Sequence, residues 1–202
     1  DVAAALVARA HERRGQGAFR HRGVTPGMSD AKHIAVVQGA PSAAVQEIFR
    51  ALVDRWRPTV RIAGVVAEDH GLPDRKCRAG YLRSIVSGTL YPIFQDIGPG
   101  AEACHLKEDG ALAAGAAVEK DIVAGCDLVL LSKFGKLEAG GRGLTEAFTA
   151  ALAADLPLLT SVSPAFEAAW KAFAVPHFDI VPAEAEPIET WWRAIHRGAA
   201  SK

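Results

Sequence analysis

The chain has little cysteine, no long apolar run and no net charge. Its three cysteines, Cys77, Cys104 and Cys126, stand far apart without a C-x-x-C pair. An odd, scattered set argues against a disulfide framework and for reduced thiols in a cytoplasmic protein. No apolar run reaches the roughly 18–20 residues that span a bilayer. Lys+Arg and Asp+Glu both number 23, and the pI is near 7.2. No global field therefore draws the protein to nucleic acid or to a membrane surface, and neither is expected as a partner. Methionine occurs once, at Met28.

What remains is an ordinary globular composition. Half of the 202 residues are hydrophobic and 23% are charged, enough for one α/β domain with a real core. The first stretch differs from the rest. Asp1 to Gly27 holds five arginines (Arg9, Arg13, Arg14, Arg20, Arg22) and no lysine, and Met28-Ser29-Asp30 reads like a natural start. Residues 1–31 are expected to form a basic, weakly ordered arm or linker, and residues 32–202 the domain.

Within the domain, strands and helices alternate. Ile34–Gln38 reads as a buried strand. A helix follows over Ser42–Trp56, with Val45, Ile48, Phe49, Leu52, Val53 and Trp56 on one face. Pro41 suits its first turn, and Ser42 is the expected cap. Val60–Ala67 is a second strand, so the unit is βαβ with parallel strands. Tyr81–Val86 and Leu90–Phe94 read as a hairpin around Ser87-Gly88-Thr89. Then come a helix at Ala111–Ala124, a strand at Asp127–Leu131, a helix at Leu144–Ala154, a strand at Leu158–Val162, a helix at Ala165–Phe173, a strand at His177–Val181 and a helix at Ala185–His196. The expectation is a three-layer α/β fold with a mostly parallel sheet and a β-hairpin insertion.

Two turns invite a ligand. The first is Gln38-Gly39-Ala40-Pro41-Ser42, between the first strand and the first helix. A P-loop has G-x-x-x-x-G-K-[ST] here, so that backbone N–H groups and a lysine hold phosphates while a hydroxyl holds Mg²⁺. This turn has neither that lysine nor that hydroxyl, and Val45 and Gln46 stand roughly in their places. The second is Ser132 to Gly143, where an apolar run gives way to Lys133, Lys136, Glu138, Arg142 and four glycines. A P-loop enzyme has a Mg²⁺-holding aspartate and a catalytic glutamate at a strand end of this kind. Ser132 and Lys133 occupy those places. Two like charges about 4 Å apart repel by about 4 kcal/mol at an effective dielectric of 20. Lys133 therefore disfavours Mg²⁺ and favours an oxyanion, which Lys136 and Arg142 would share. Glu138 is the segment's one carboxylate and the candidate catalytic base. The candidate ligand site is Gly39, Ala40, Pro41, Ser42, Ser132, Lys133, Lys136 and Arg142.

Gly39-Ala40-Pro41, Ile62 through Glu68, Gly80-Tyr81, Val86 through Thr89 and Phe134 through Glu138 follow the order seen in small thermophile-type nucleoside-triphosphatases. Ser132 to Gly143 more closely resembles the signature of the bacterial domain of unknown function 2478. So does Gly98-Pro99-Gly100 through Cys104-His105-Leu106. The resemblance covers about Lys32 to Phe173. It implies a P-loop-like fold with a degenerate phosphate loop and a link to molybdenum metabolism. The ligand it implies is a nucleotide or molybdate, with Mg²⁺ not expected.

Cys77, Cys104 and His105 are weak candidates for a soft metal, because their spacing fits no metal motif. Cys126 reads as a packed thiol. Trp170, Trp191 and Trp192 read as core or interface. The favoured function is a non-hydrolytic or weakly hydrolytic anion- or nucleotide-binding protein, a sensor or accessory in molybdenum metabolism. The alternatives are an active nucleoside-triphosphatase with rearranged residues and an inactive scaffold serving a protein partner or a homo-oligomer. The last rests on Trp191-Trp192 and the basic arm.

Overall fold

A computed structural model describes residues 32–72, 78–95, 107–174 and 177–199. The expected arm lies outside these residues. The strands are β1 (Ile34–Gln38), β2 (Ile62–Asp69), β3 (Ala79–Ser84), β4 (Leu90–Pro92), β5 (Leu128–Phe134), β6 (Leu158–Val162) and β7 (Phe178–Pro182). The helices are α1 (Ser42–Trp56), α2 (Glu108–Ala124), α3 (Lys136–Ala139), α4 (Thr145–Ala153), α5 (Glu167–Phe173, after a 3-10 turn at Pro164–Phe166) and α6 (Ala185–Ala199).

The strands form a seven-stranded sheet in the order β4-β3-β2-β5-β6-β1-β7. β2, β5, β6, β1 and β7 are mutually parallel. The hairpin β3–β4 adds an antiparallel edge beside β2. This is a three-layer, mostly parallel α/β sheet compatible with a P-loop NTPase-like fold.

The layers follow from alternation along doubly buried strands. On β5, Leu128 and Leu130 point to one face, while Val129 and Leu131 point to the other. The first face packs against α1 and α6 through Phe49, Leu52, Trp56, Ile188 and Trp192. The second packs against α2, α4 and α5 through Ala114, Val118, Phe148 and Trp170. Trp191 and Trp192 are 5% and 7% exposed. Trp192 lies 5.8 Å from Trp56, ring to ring. Both are core, so the surface that the partner-module reading drew from them is absent. No helix among the described residues is long and apolar enough to cross a membrane.

β1 and β2 are parallel as expected, with β6 and β5 between them, so β6 is the strand hydrogen-bonded to β1 on that side. One expectation needs correction: β5 does not end at Leu131. Ser132, Lys133 and Phe134 continue it with buried, exposed and buried side chains. Phe134 packs its ring 5.6 Å from Phe148 and 5.2 Å from Trp170. That aromatic anchor keeps the polar residues before it in the strand.

The connections place a crevice. β1 sends its chain to α1 on one face, and its neighbour β6 sends its chain to α5 on the other. Adjacent strands that depart to opposite faces leave an opening at their carboxyl ends, where open α/β sheets bind ligands.

Candidate functional site

At the β1 end of this crevice the chain turns through Gly39, whose φ is +101°. A Cβ there would meet nothing within 4 Å. Sequence reasoning assigns the cap of α1 to Ser42, but Pro41 holds the cap position and Ser42 is the first helical residue. Pro41 brings a preset φ of −57° and leaves the helix without a side-chain cap or an acidic residue in its first turn. The N–H groups of Ser42, Ala43 and Ala44 precede the first intrahelical bond, from Val45 N–H to the Pro41 carbonyl at 3.1 Å. The opening is therefore weakly positive.

The two residues standing where a P-loop lysine and hydroxyl would be both face inward. Val45 is core. The Gln46 amide is 4% exposed and links three elements. Its Nε2 donates to the Ser132 carbonyl at 2.9 Å. Its Oε1 accepts from the Ala67 N–H at 2.9 Å. Ser161 Oγ also donates to the Ser132 carbonyl, at 2.9 Å. α1, β2, β5 and β6 thus meet at one satisfied buried network, and such networks fix a single arrangement.

The loop after β5 spends most of its notable residues on itself. Glu138 is 9% exposed. Its Oε2 accepts the Gly135 N–H at 2.9 Å and its Oε1 accepts the Leu144 N–H at 3.1 Å. One carboxylate closes both ends of the loop. Gly143, with φ +63°, leaves room for it: a Cβ there would lie 2.6 Å from Glu138 Oε1 and 2.9 Å from Leu137 Cβ. Arg142 is paired with Glu108 at the start of α2. Lys133 and Lys136 are different. Both are exposed, and neither has an ion-pair or hydrogen-bond partner among the described residues. The Lys133 stem passes over Gly135, with Cε 3.5 Å from where a Cβ would sit and Ser163 Oγ 3.7 Å from the same point.

So the structure puts Gly39–Ser42 and Ser132–Lys136 on one edge of the sheet. β6 separates β1 from β5, and neighbouring strands are about 4.8 Å apart, which sets the two turns about 10 Å apart. Arg142 is committed elsewhere. Cys77, Cys104 and His105 lie outside the described residues, and no cluster of metal-ligating side chains occurs among those described. Sequence reasoning missed Gln46 as a network centre, Ser161, and a contact at the crevice between Gln38 Nε2 and Glu167 Oε1, 3.2 Å long. A glutamine buried on an apolar helical face was the available signal for the first. The last joins residues 129 apart and leaves no local trace.

Two other carboxylates at this edge, Glu68 and Asp69, are occupied. Glu68 is forked by Arg83, which holds its carboxyl below the usual glutamate range. Asp69 accepts from Arg78 at 3.4 Å and from the Gly71 N–H at 2.7 Å. At the opposite edge a cavity of about 330 Å³ is lined by Val60, Ile62, Ile85, Val86, Asp121 and Cys126 among others. Burial pushes the Cys126 thiol up, as it does the Asp121 carboxyl. A thiol so raised is protonated at neutral pH and is a poor nucleophile.

Residues 34–191 match the family described as a protein of unknown function (DUF2478). The chain belongs to that family. A relative from Bradyrhizobium diazoefficiens, named molybdenum import ATP-binding protein ModC 2, is 35% identical over 142 residues. The match takes in 69% of this chain and only 16% of that protein. No solved structure matches the chain.

Proposed function

We propose that this protein binds a phosphate-bearing or other oxyanionic ligand, a nucleotide or molybdate, and hydrolyses it weakly or not at all. One observation carries the reading. Lys133 and Lys136 are exposed and without a side-chain partner among the described residues at the carboxyl edge of the sheet, where Glu68 is taken by an arginine and Glu138 by backbone N–H groups. Two exposed cations on the same edge as an uncapped helix start suit an anion.

The same geometry speaks against efficient hydrolysis. Glu138 is engaged by two N–H donors and acts as a loop clamp rather than a base. Gln46, in the place of a P-loop hydroxyl, has both ends of its amide bonded in the inter-strand network. The role in molybdenum metabolism, as a cytoplasmic sensor or accessory, takes its support from the ModC relative. Because the match spans a small part of that protein, its ATP-binding activity is not transferred whole. The second reading, a rearranged nucleoside-triphosphatase, needs a working carboxylate at this edge.

Calorimetric titration of the full chain with molybdate, tungstate, sulfate, ATP and GTP tests the proposal. Binding of at least one of them, weakened about tenfold by Lys133→Ala, is expected. Absence of heat with all five would sink it. A phosphate-release assay on wild type and Glu138→Gln separates the readings: turnover abolished by the substitution would favour the enzyme.

A further inference from the structure

We infer that Gln38 and Glu167 form the selective half of this site and make it a receptor for a nucleotide-class ligand rather than a bare oxyanion. The inference rests on the anion-binding reading above. Of the carboxylates Glu68, Asp69, Glu138 and Glu167, the first two face arginines and the third is closed by two backbone N–H groups. Glu167 alone of these is held by a single side-chain amide, that of Gln38, through one of its two oxygens. It opens α5, and the bond to Gln38 is its one side-chain hydrogen bond among the described residues.

A carboxylate only accepts hydrogen bonds, so Gln38 must turn its NH₂ toward it. That fixes the amide and leaves Gln38 Oε1 and Glu167 Oε2 as acceptors without partners among the described residues. Both residues are partly exposed, so these oxygens can meet a ligand. Gln38 ends β1, two strands from Lys133 on β5, and Glu167 opens the helix that follows β6, the strand between them.

The site therefore has two poles. The lysines attract phosphate. The acceptor pair attracts hydroxyl or amino donors and repels a second anion. A ligand that fits both carries an anionic group and hydrogen-bond donors within about 10 Å of each other, taking two strand spacings as the span. A nucleotide has this form, with phosphate at one end and sugar hydroxyls or a base amino group at the other. Molybdate and inorganic polyphosphate have no such donors.

The test is calorimetric titration of the full chain, wild type, Glu167→Ala, Gln38→Ala and Lys133→Ala, with ATP, GTP, inorganic tripolyphosphate and molybdate. Wild type should bind a nucleotide at least tenfold more tightly than tripolyphosphate. Glu167→Ala should erase that preference, weakening the nucleotide while leaving tripolyphosphate unchanged or tighter, and Gln38→Ala should act in the same direction. Lys133→Ala should weaken both ligands alike. If tripolyphosphate or molybdate binds wild type as tightly as the nucleotides and Glu167→Ala changes nothing, the selective pole is refuted while anion binding stands. If no ligand binds wild type, the anion reading falls and this inference with it.

Discussion

The turn after β1 and the loop after β5 sit on the same edge of the sheet and use glycine and charge in opposite ways. The loop after β5 is tied to itself. Glu138 bridges Gly135 and Leu144, Gly143 yields its Cβ space to that carboxylate, and Arg142 reaches across to Glu108. The turn after β1 is open: Gly39 has empty space around it, and α1 starts without a side-chain cap. A dense cluster of charge and glycine therefore marks a loop that must hold its own shape. What it leaves without a side-chain partner among the described residues is the small remainder, Lys133 and Lys136.

The contrast between the two glycines gives the largest expected effect. Gly143→Ala should destabilise the fold by about 3 kcal/mol, because a close contact with Glu138 adds to left-handed backbone strain. Gly39→Ala should cost about 1 kcal/mol, from backbone strain alone. Chemical denaturation measures both, and equal losses would erase the distinction.

The two glutamates come next. Glu138→Gln places an NH₂ against the Gly135 or Leu144 N–H and should cost about 2 kcal/mol. Glu167→Gln keeps an acceptor toward Gln38 and should change stability by less than about 0.5 kcal/mol. The reverse ranking would mean that Glu138 is available for chemistry.

The smallest effect concerns the occupied carboxylate at the neighbouring strand end. Arg83 depresses the folded-state pKa of Glu68. The pair's stabilisation is thus fully present above the ordinary glutamate pKa and is lost as pH falls through the lowered value. The pair is partly exposed, so the contribution should stay below about 1 kcal/mol. Arg83→Met should flatten the acid limb of a stability–pH curve. An unchanged slope would show that the pairing does not contribute.

Much of the fold is legible because β1, α1 and β6 carry unambiguous periodicity and end at Gly39, Pro58 and Ser163. The strand order is not legible, since nothing local says that β6 inserts beside β1. The end of β5 is misread because Ser132 and Lys133 look like a loop. They are strand because Gln46 and Ser161 satisfy the Ser132 carbonyl and Phe134 anchors beyond it, both long-range effects. At the site, Lys133 and Lys136 can be picked out by charge. The roles of Glu138 and Arg142 depend on Gly135, Leu144 and Glu108, and the Gln38–Glu167 contact spans 129 residues.

The location of binding tests the central claim most directly. Amide chemical shifts of the isotopically labelled chain, followed during titration with ATP, should move at Gly39–Ala44, Ser132–Lys136 and Ser163–Glu167. Shifts confined to the cavity at the opposite edge, at Val60–Ala63, Ile85–Val86 and Asp121–Cys126, would contradict it.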